Sequence, residues 1–289
     1  VDITLLDGTK LFSNVSFGRS GTAADVDGGA YSLQARVANT ETVALSFADV
    51  PVSNGMNYTV YAVGLLTDNS ITAVVTVNTD VGETQTVELI PATAQLRVSH
   101  LVPGAGPVDV YLDGNRELRG VPFEVFSDFL PIAAKTYTVR VTLENTMTDV
   151  IPSTDLIFDP NTATTVAATG LPNDIQPMVL LDNRESAASG FSLVRFVHTS
   201  PDAPPVDIVA AGVGTLFAAF DFREASEYAP VAVGTYDLEV RFAASPAGSG
   251  DLIKTFPGVA LNSTETISLF ATDVAASLNA VRVQDSDDE

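Results

Sequence analysis

Ala134-Lys135-Thr136-Tyr137-Thr138-Val139-Arg140-Val141-Thr142 decides the fold class. Tyr137, Val139 and Val141 fall on one side of an extended chain, and Thr138, Arg140 and Thr142 on the other. That period of two suits a half-buried antiparallel strand. The alternation returns in Tyr236, Leu238 and Val240 against Asp237, Glu239 and Arg241. Turn-like segments open both strands, Ala134-Lys135-Thr136 and Val233-Gly234-Thr235, as Gly28-Gly29-Ala30 does before Tyr31.

Working outward, the tyrosines belong to a pattern that occurs three times at a spacing of about 100 residues. Val1-Asp2-Ile3, Val108-Asp109-Val110 and Val206-Asp207-Ile208 begin it; a phenylalanine follows each aspartate by 14 or 15 positions (Phe17, Phe123, Phe222) and a tyrosine by 28 or 29 (Tyr31, Tyr137, Tyr236). Further β-rich runs follow at Tyr58-Thr59-Val60-Tyr61, Thr164-Thr165-Val166-Ala167 and Thr266-Ile267-Ser268-Leu269, and each copy closes with one more, at 74–77, 178–181 and 280–283. With about seven strands per complete copy, the expectation is an all-β chain of three tandem immunoglobulin-like antiparallel β-sandwich domains, 1–93, 94–190 and 191–289. Polar joins are expected at 81–94 and 184–190, giving an extended row of domains that each bury their own core. The acidic tail 285–289 is expected to be disordered.

Composition narrows the function. The 289 residues carry a formal charge of −22, and Lys10, Lys135 and Lys254 are the only lysines. Phosphate backbones and anionic lipid surfaces recruit basic residues, so nucleic acid is not an expected partner. A solvated, self-repelling surface is the favoured meaning of the charge, with a salt-rich habitat or diffuse divalent-cation binding as alternatives. Cysteine is absent, which removes disulfides and thiolate metal sites and leaves the apolar core to hold the fold. The longest apolar stretch, 208–220, is shorter than a span of about 20 residues and is broken by Gly212 and Gly214, so no membrane span is expected in this segment.

The third copy opens with Val194-Arg195-Phe196-Val197-His198-Thr199-Ser200-Pro201-Asp202-Ala203-Pro204-Pro205-Val206-Asp207. The second answers with Leu96-Arg97-Val98-Ser99-His100 and Pro107-Val108-Asp109, but has Val102-Pro103-Gly104-Ala105 in place of Ser-Pro-Asp-Ala. A strand ending in His-x-Ser-Pro-Asp-Ala-Pro, then Val-Asp, then a tyrosine strand, resembles a family of repeated domains of unknown function found in exported and surface-anchored proteins of bacteria and archaea. The resemblance covers nearly the whole chain. It implies an extracellular or cell-surface address and carries no reaction and no catalytic residues.

His198, Asp202 and Asp207 mix imidazole and carboxylate, as a divalent-metal site would. A site needs three or four convergent ligands, and the second copy keeps only His100 and Asp109. The favoured reading is therefore structural: Ser200, Pro201 and Asp202 make a turn, the prolines hold the crossing segment extended, and the histidine caps a strand end. No nucleophile elbow, phosphate-cradling glycine loop or His-Glu-x-x-His is present, so neither catalysis nor a cofactor is expected. Asn14-Val15-Ser16, Asn57-Tyr58-Thr59 and Asn262-Ser263-Thr264 match the glycosylation acceptor pattern.

The first copy begins at Val1-Asp2-Ile3 without the opening strand that 96–100 and 194–198 supply to the others. Either residues upstream of Val1 provide it, or a strand from another molecule does, with Val1, Asp2 and Ile3 marking an inter-subunit edge. The expected role is a non-catalytic extracellular building block, a stalk, surface component or filament subunit whose partners are its own copies or other surface proteins. An adhesin or glycan-binding module is the alternative.

Overall fold

The computed structural model describes residues 1–64, 71–78 and 84–286. The first repeat contributes β1 (Asp2–Leu5), β2 (Lys10–Phe12), β3 (Gly29–Arg36), β4 (Val43–Val52), β5 (Asn57–Val63), β6 (Thr72–Asn78) and β7 (Thr84–Leu89). The second contributes β8 (Thr93–Leu101), β9 (Val108–Leu112), β10 (Asn115–Val121), β11 (Val125–Phe126), β12 (Leu130–Ala133), β13 (Thr136–Leu143), β14 (Asp149–Ile157), β15 (Ala163–Leu171) and β16 (Asp174–Asp182). In the third are β17 (Phe191–His198), β18 (Val206–Ala210), β19 (Gly214–Phe220), β20 (Ala229–Ala232), β21 (Gly234–Phe242), β22 (Leu252–Leu261), β23 (Thr266–Thr272) and β24 (Asn279–Gln284). Among the described residues the protein is all-β, with six sheets, and a single turn of 3₁₀ helix, Ala275–Ser277, is the sole helical element.

One strand order is used three times. β2-β1-β3-β4, β10-β9-β13-β14 and β19-β18-β21-β22 are the same antiparallel sheet, and Asp2, Asp109 and Asp207 lie at the same place in it. In the second and third repeats a companion sheet faces it. There the opening strand lies parallel to a later one, β8 on β15 and β17 on β23, with short antiparallel strands on its far side. Leu96, Val98 and Val166 from one sheet meet Val110, Val139 and Ile151 from the other in the second core, and Phe196 and Leu269 meet Ile208 and Val240 in the third. The tyrosine landmarks mark one structural place. The phenols of Tyr31 and Tyr236 donate to the carbonyls of Asp27 and Ala232, both at 2.8 Å, and the Tyr137 phenol lies against the backbone of Ala133, four residues back in every case.

Three expectations need correction. Residues 84–89 are not linker but a strand, because Val87 and Leu89 alternate with polar neighbours and pair with Val75 and Ala73 of β6. Asp285 is not part of a loose tail: it is completely buried and ion-paired, while residues 287–289 lie outside the described residues. Nor do the second and third repeats stand as separate beads. Their companion sheets pack outer face to outer face, and Leu101, Ala167, Met178, Val197 and Phe270 form an apolar core shared between them. The first repeat touches the second more lightly. Gln34 Nε2 donates to Asp159 Oδ1 at 3.2 Å and Val43 donates its N–H to Thr136 Oγ1 at 2.8 Å.

Candidate functional site

The aspartate of each Val-Asp pair is buried, yet its charge is matched. Asp2 accepts from the backbone N–H of Asn14 at 2.7 Å and Asn39 at 3.3 Å, and from Lys10 Nζ at 2.8 Å. Asp109 accepts from Gly120 at 2.9 Å, Asn145 at 3.1 Å and Arg116 Nη1 at 3.3 Å. Asp207 accepts from Ala219 at 2.8 Å, Gly248 at 2.7 Å and Ala244 at 3.4 Å. Asn14, Asn39, Gly120, Asn145, Ala219 and Gly248 all have positive φ. Each carboxylate thus pins two left-handed turns, and at Ala219 it holds a residue that avoids that conformation unaided. The Lys10 ammonium, with the N–H groups of Asn14 and Asn39, holds the Asp2 carboxyl down to about 2. Burial pulls Asp109 upward, but the two N–H groups and Arg116 outweigh it and keep its carboxyl below the usual range.

The two histidines sit alike. His100 Nε2 lies 3.1 Å from the Gly106 carbonyl with Phe123 edge-on to the ring, and His198 Nε2 lies 3.4 Å from the Pro204 carbonyl with Phe222 edge-on. Both rings are fully buried, which pulls both imidazoles below their ordinary range and keeps them neutral near pH 7. Ser200 is buried and its N–H donates to His198 Nδ1 at 3.3 Å. Pro201 is half-buried, and exposed Asp202 accepts the Ala275 N–H at 2.6 Å, closing the 3₁₀ turn. His198, Asp202 and Asp207 are therefore engaged separately by backbone groups. Among the described residues no group of three or more His, Asp or Glu is placed to hold a metal ion.

A second cluster joins the repeats. Arg97 Nη2 donates to Asp285 Oδ1 at 2.5 Å and its Nε to Thr165 Oγ1 at 2.9 Å; Arg195 Nη2 donates to Asp182 Oδ1 at 2.5 Å and its Nε to Ser268 Oγ at 2.9 Å. Thr165 and Ser268 in turn donate to Asp182 and Asp285. Arg97 lies over the Phe129 ring and Arg195 over Tyr228, whose hydroxyl donates to Asp285 at 2.8 Å. At the far end of the shared face, Glu124 accepts from Thr272 and Asn279, and Arg223 donates to Thr169. The two repeats are locked by a nearly two-fold exchange of equivalent residues.

The first repeat lacks this lock. Among the described residues no strand takes the place of β8 or β17 beside β5, and Val60 is 39% exposed where Val166 is 3% and Leu269 7%. Phe17, in the place of Phe123 and Phe222, is fully exposed with no histidine to cover. Asn78 stands where Asp182 and Asp285 stand. Val1 and Ile3 are half-buried: Ile3 pairs with Phe12 and Ala35, and the Val1 ammonium donates to the Val15 carbonyl at 2.8 Å.

A family model described as a domain of unknown function (DUF4397) matches residues 1–88, 94–209 and 192–289. The chain belongs to this family. Its DUF4397 repeats cover nearly the whole sequence, and the second match runs on into the opening strand of the third repeat. No curated protein matches it. Among solved structures, it is similar to the crystal structure of CBMbc (family CBM26) from Eubacterium rectale Amy13K in complex with maltoheptaose. The identity is 9% and the TM-score 0.21, over 68% of this chain and 98% of that one, a likeness that carries no argument about fold or ligand.

Sequence reasoning found the DUF4397 aspartates and histidines and passed over Arg97, Asp182, Arg195 and Asp285. A usable signal was present: both arginines stand between two apolar residues in equivalent strands, Leu96-Arg97-Val98 and Val194-Arg195-Phe196.

Proposed function

We propose that the protein is a non-catalytic extracellular building block, a tandem-domain stalk, surface component or filament subunit, made of three immunoglobulin-like units and assembled by strand addition at the first. One contrast supports this reading: the second and third repeats close on each other through buried ion pairs, while among the described residues nothing covers the edge of β5 or the ring of Phe17 in the first. The buried aspartates, histidines and arginines described above bond to backbone turns or across the joint between repeats. The resemblance to exported repeat proteins supports a location at or beyond the cell surface, with further copies or other surface proteins as partners and no nucleic acid among them. No cofactor is called for. No helix among the described residues is long and apolar enough to cross a membrane. Negative-stain electron microscopy of the purified chain at rising concentration is the test. Linear assemblies support the reading, and dispersed single particles at every concentration overturn it.

The second reading is an adhesin or glycan-binding module. The observation that favours it is Phe17, an aromatic ring standing fully exposed in a loop. A glycan array bound by the wild type and lost on Phe17→Ala would support it over the first.

A further inference from the structure

We infer that protonation of His100 and His198 releases two short loops that clamp the joint between the second and third repeats, so that this joint opens at one end in mild acid. The inference is independent of the building-block reading above. Each histidine carbonyl accepts the backbone N–H of the residue after a phenylalanine, Glu124 on His100 and Arg223 on His198, both at 2.8 Å. The phenylalanines themselves, Phe123 and Phe222, stand edge-on to the two rings, with centroids 6.2 and 6.4 Å away. Glu124 and Arg223 hold positive φ, 62° and 66°, a conformation that residues other than glycine resist. Their side chains leave the histidine and cross to the opposite repeat. Glu124 accepts from Thr272 Oγ1 and, at 3.0 Å, from Asn279 Nδ2. Arg223 donates to Thr169 Oγ1 at 3.0 Å and to the carbonyls of Thr169 and Asp174 at 3.1 and 3.0 Å. The two threonines match in place: Thr169 follows Ala168, which lies beside His100, and Thr272 follows Ala271, which lies beside His198. Each loop is thus held by the histidine of its own repeat and latched to a strand of the other.

The ring sites fit the neutral imidazole alone. Nε2 of each ring faces a carbonyl, Gly106 at 3.1 Å and Pro204 at 3.4 Å, so the one proton of the neutral form sits there. A second proton goes to Nδ1. In His198 that atom already accepts the Ser200 N–H at 3.3 Å, and a new N–H would point at another donor. In His100 it is buried without a hydrogen-bond partner among the described residues. Either charged ring has to turn out of its site, and Phe123 or Phe222 stands in the way. Few charges offset this. Asp221 and Glu224 face His198 and favour its charged form, yet burial outweighs them and pulls the imidazole below its ordinary range. Asp202, in the segment before Val206, is engaged by the Ala275 N–H. Against His100, segment 101–107 carries no charged residue, Glu124 is turned to Thr272, and burial pulls this imidazole down too. Release of the loops uncovers Leu101 and Val197 of the shared core, each next to a histidine in the chain. The competing acid-sensitive group lies at the other end of the joint, where burial raises the Asp182 carboxyl among Arg97, Arg195 and Asp285.

Amide exchange of the full chain at about pH 7.5 and about pH 5, corrected for the intrinsic rate, is the test. A histidine freed from its site binds its proton near about 6.5, so each proton taken up on opening favours the open form by about tenfold or more at the lower pH. Protection of 122–127 and 221–226 should fall by that factor, while 139–141 in the second core and 238–240 in the third keep theirs. His100→Gln with His198→Gln retains a donor for the Gly106 and Pro204 carbonyls and takes no charge. It should keep both loops protected at both pH values. Should this variant fail to fold by circular dichroism, the wild-type pattern still decides. Loss that begins at 283–286 would assign the acid response to the buried ion pairs and overturn the inference. Uniform loss across all strands, unchanged protection throughout, or an undiminished response in the double variant would overturn it as well.

Discussion

Arg97 of the second repeat lies 2.5 Å from Asp285 of the third, with both side chains almost wholly out of water. Burying such a pair is costly, and removing one partner strands the other. Arg97→Met should therefore destabilise the chain by about 3 to 5 kcal/mol in urea unfolding, even though Asp285 keeps its bonds from Tyr228 and Ser268. Adding Asp285→Leu to it should restore part of the loss. A loss from Arg97→Met below about 1 kcal/mol, the scale of surface changes, would show that the joint is not closed in solution.

Asp109→Ala takes the charged acceptor from two partly buried N–H groups, those of Gly120 and Asn145. Leaving such donors unpaired costs about 1 to 3 kcal/mol each, so a total above about 2 kcal/mol is expected by thermal or urea unfolding. Asp207→Ala should cost at least as much, because Ala219 holds its left-handed turn without the freedom of glycine. Equal stability of variant and wild type would leave these carboxylates with another purpose.

Acidification should act through the two buried imidazoles. Their proton affinity is lower in the folded chain than in the unfolded one, where it lies near about 6.5. Below that pH the unfolded chain binds more protons, so stability falls as pH drops through it and goes on falling toward the folded values. A melting temperature followed from pH 8 to pH 5 should show this slope, and His100→Leu with His198→Leu should flatten it. Asp2 acts lower down: with its folded carboxyl at about 2, its contribution is complete above roughly pH 4 and is lost as pH falls through about 2.

Much of this architecture is written in local pattern. Asp109, Phe123 and Tyr137 hold register because each serves a local contact: a turn, a histidine ring, the backbone four residues back. What local pattern leaves open is which faces are covered twice. β15 is buried on both sides except at its end, and its Thr-rich, Ala-rich run 163–171 reads equally as a strand with one wet face. Arg97 and Arg195 alternate with apolar neighbours as residues on a solvent face do, and only the packing of two sheets shows where their charges go. Asp285 misled for the same reason, since an acidic run near a terminus is indistinguishable in sequence from one half of a buried pair.

Tyr137 offers a graded check on the repeat itself. Tyr137→Phe removes only the hydroxyl beside the Ala133 backbone and should cost about 1 kcal/mol, whereas Tyr137→Ala also empties a half-buried ring site beside Phe158 and should cost about 3 kcal/mol. Equal losses for the two variants would mean the ring contributes nothing to the core.

Hydrogen–deuterium exchange followed strand by strand, in dilute chain and again after assembly, bears most directly on the uneven closure of the three repeats. Amides of 57–63 should exchange fast in the dilute chain while 163–171 and 266–272 are protected, and 57–63 should gain protection on assembly. Protection of 57–63 equal to that of 163–171 in the dilute chain, or none gained on assembly, would contradict an open first repeat as the site of growth.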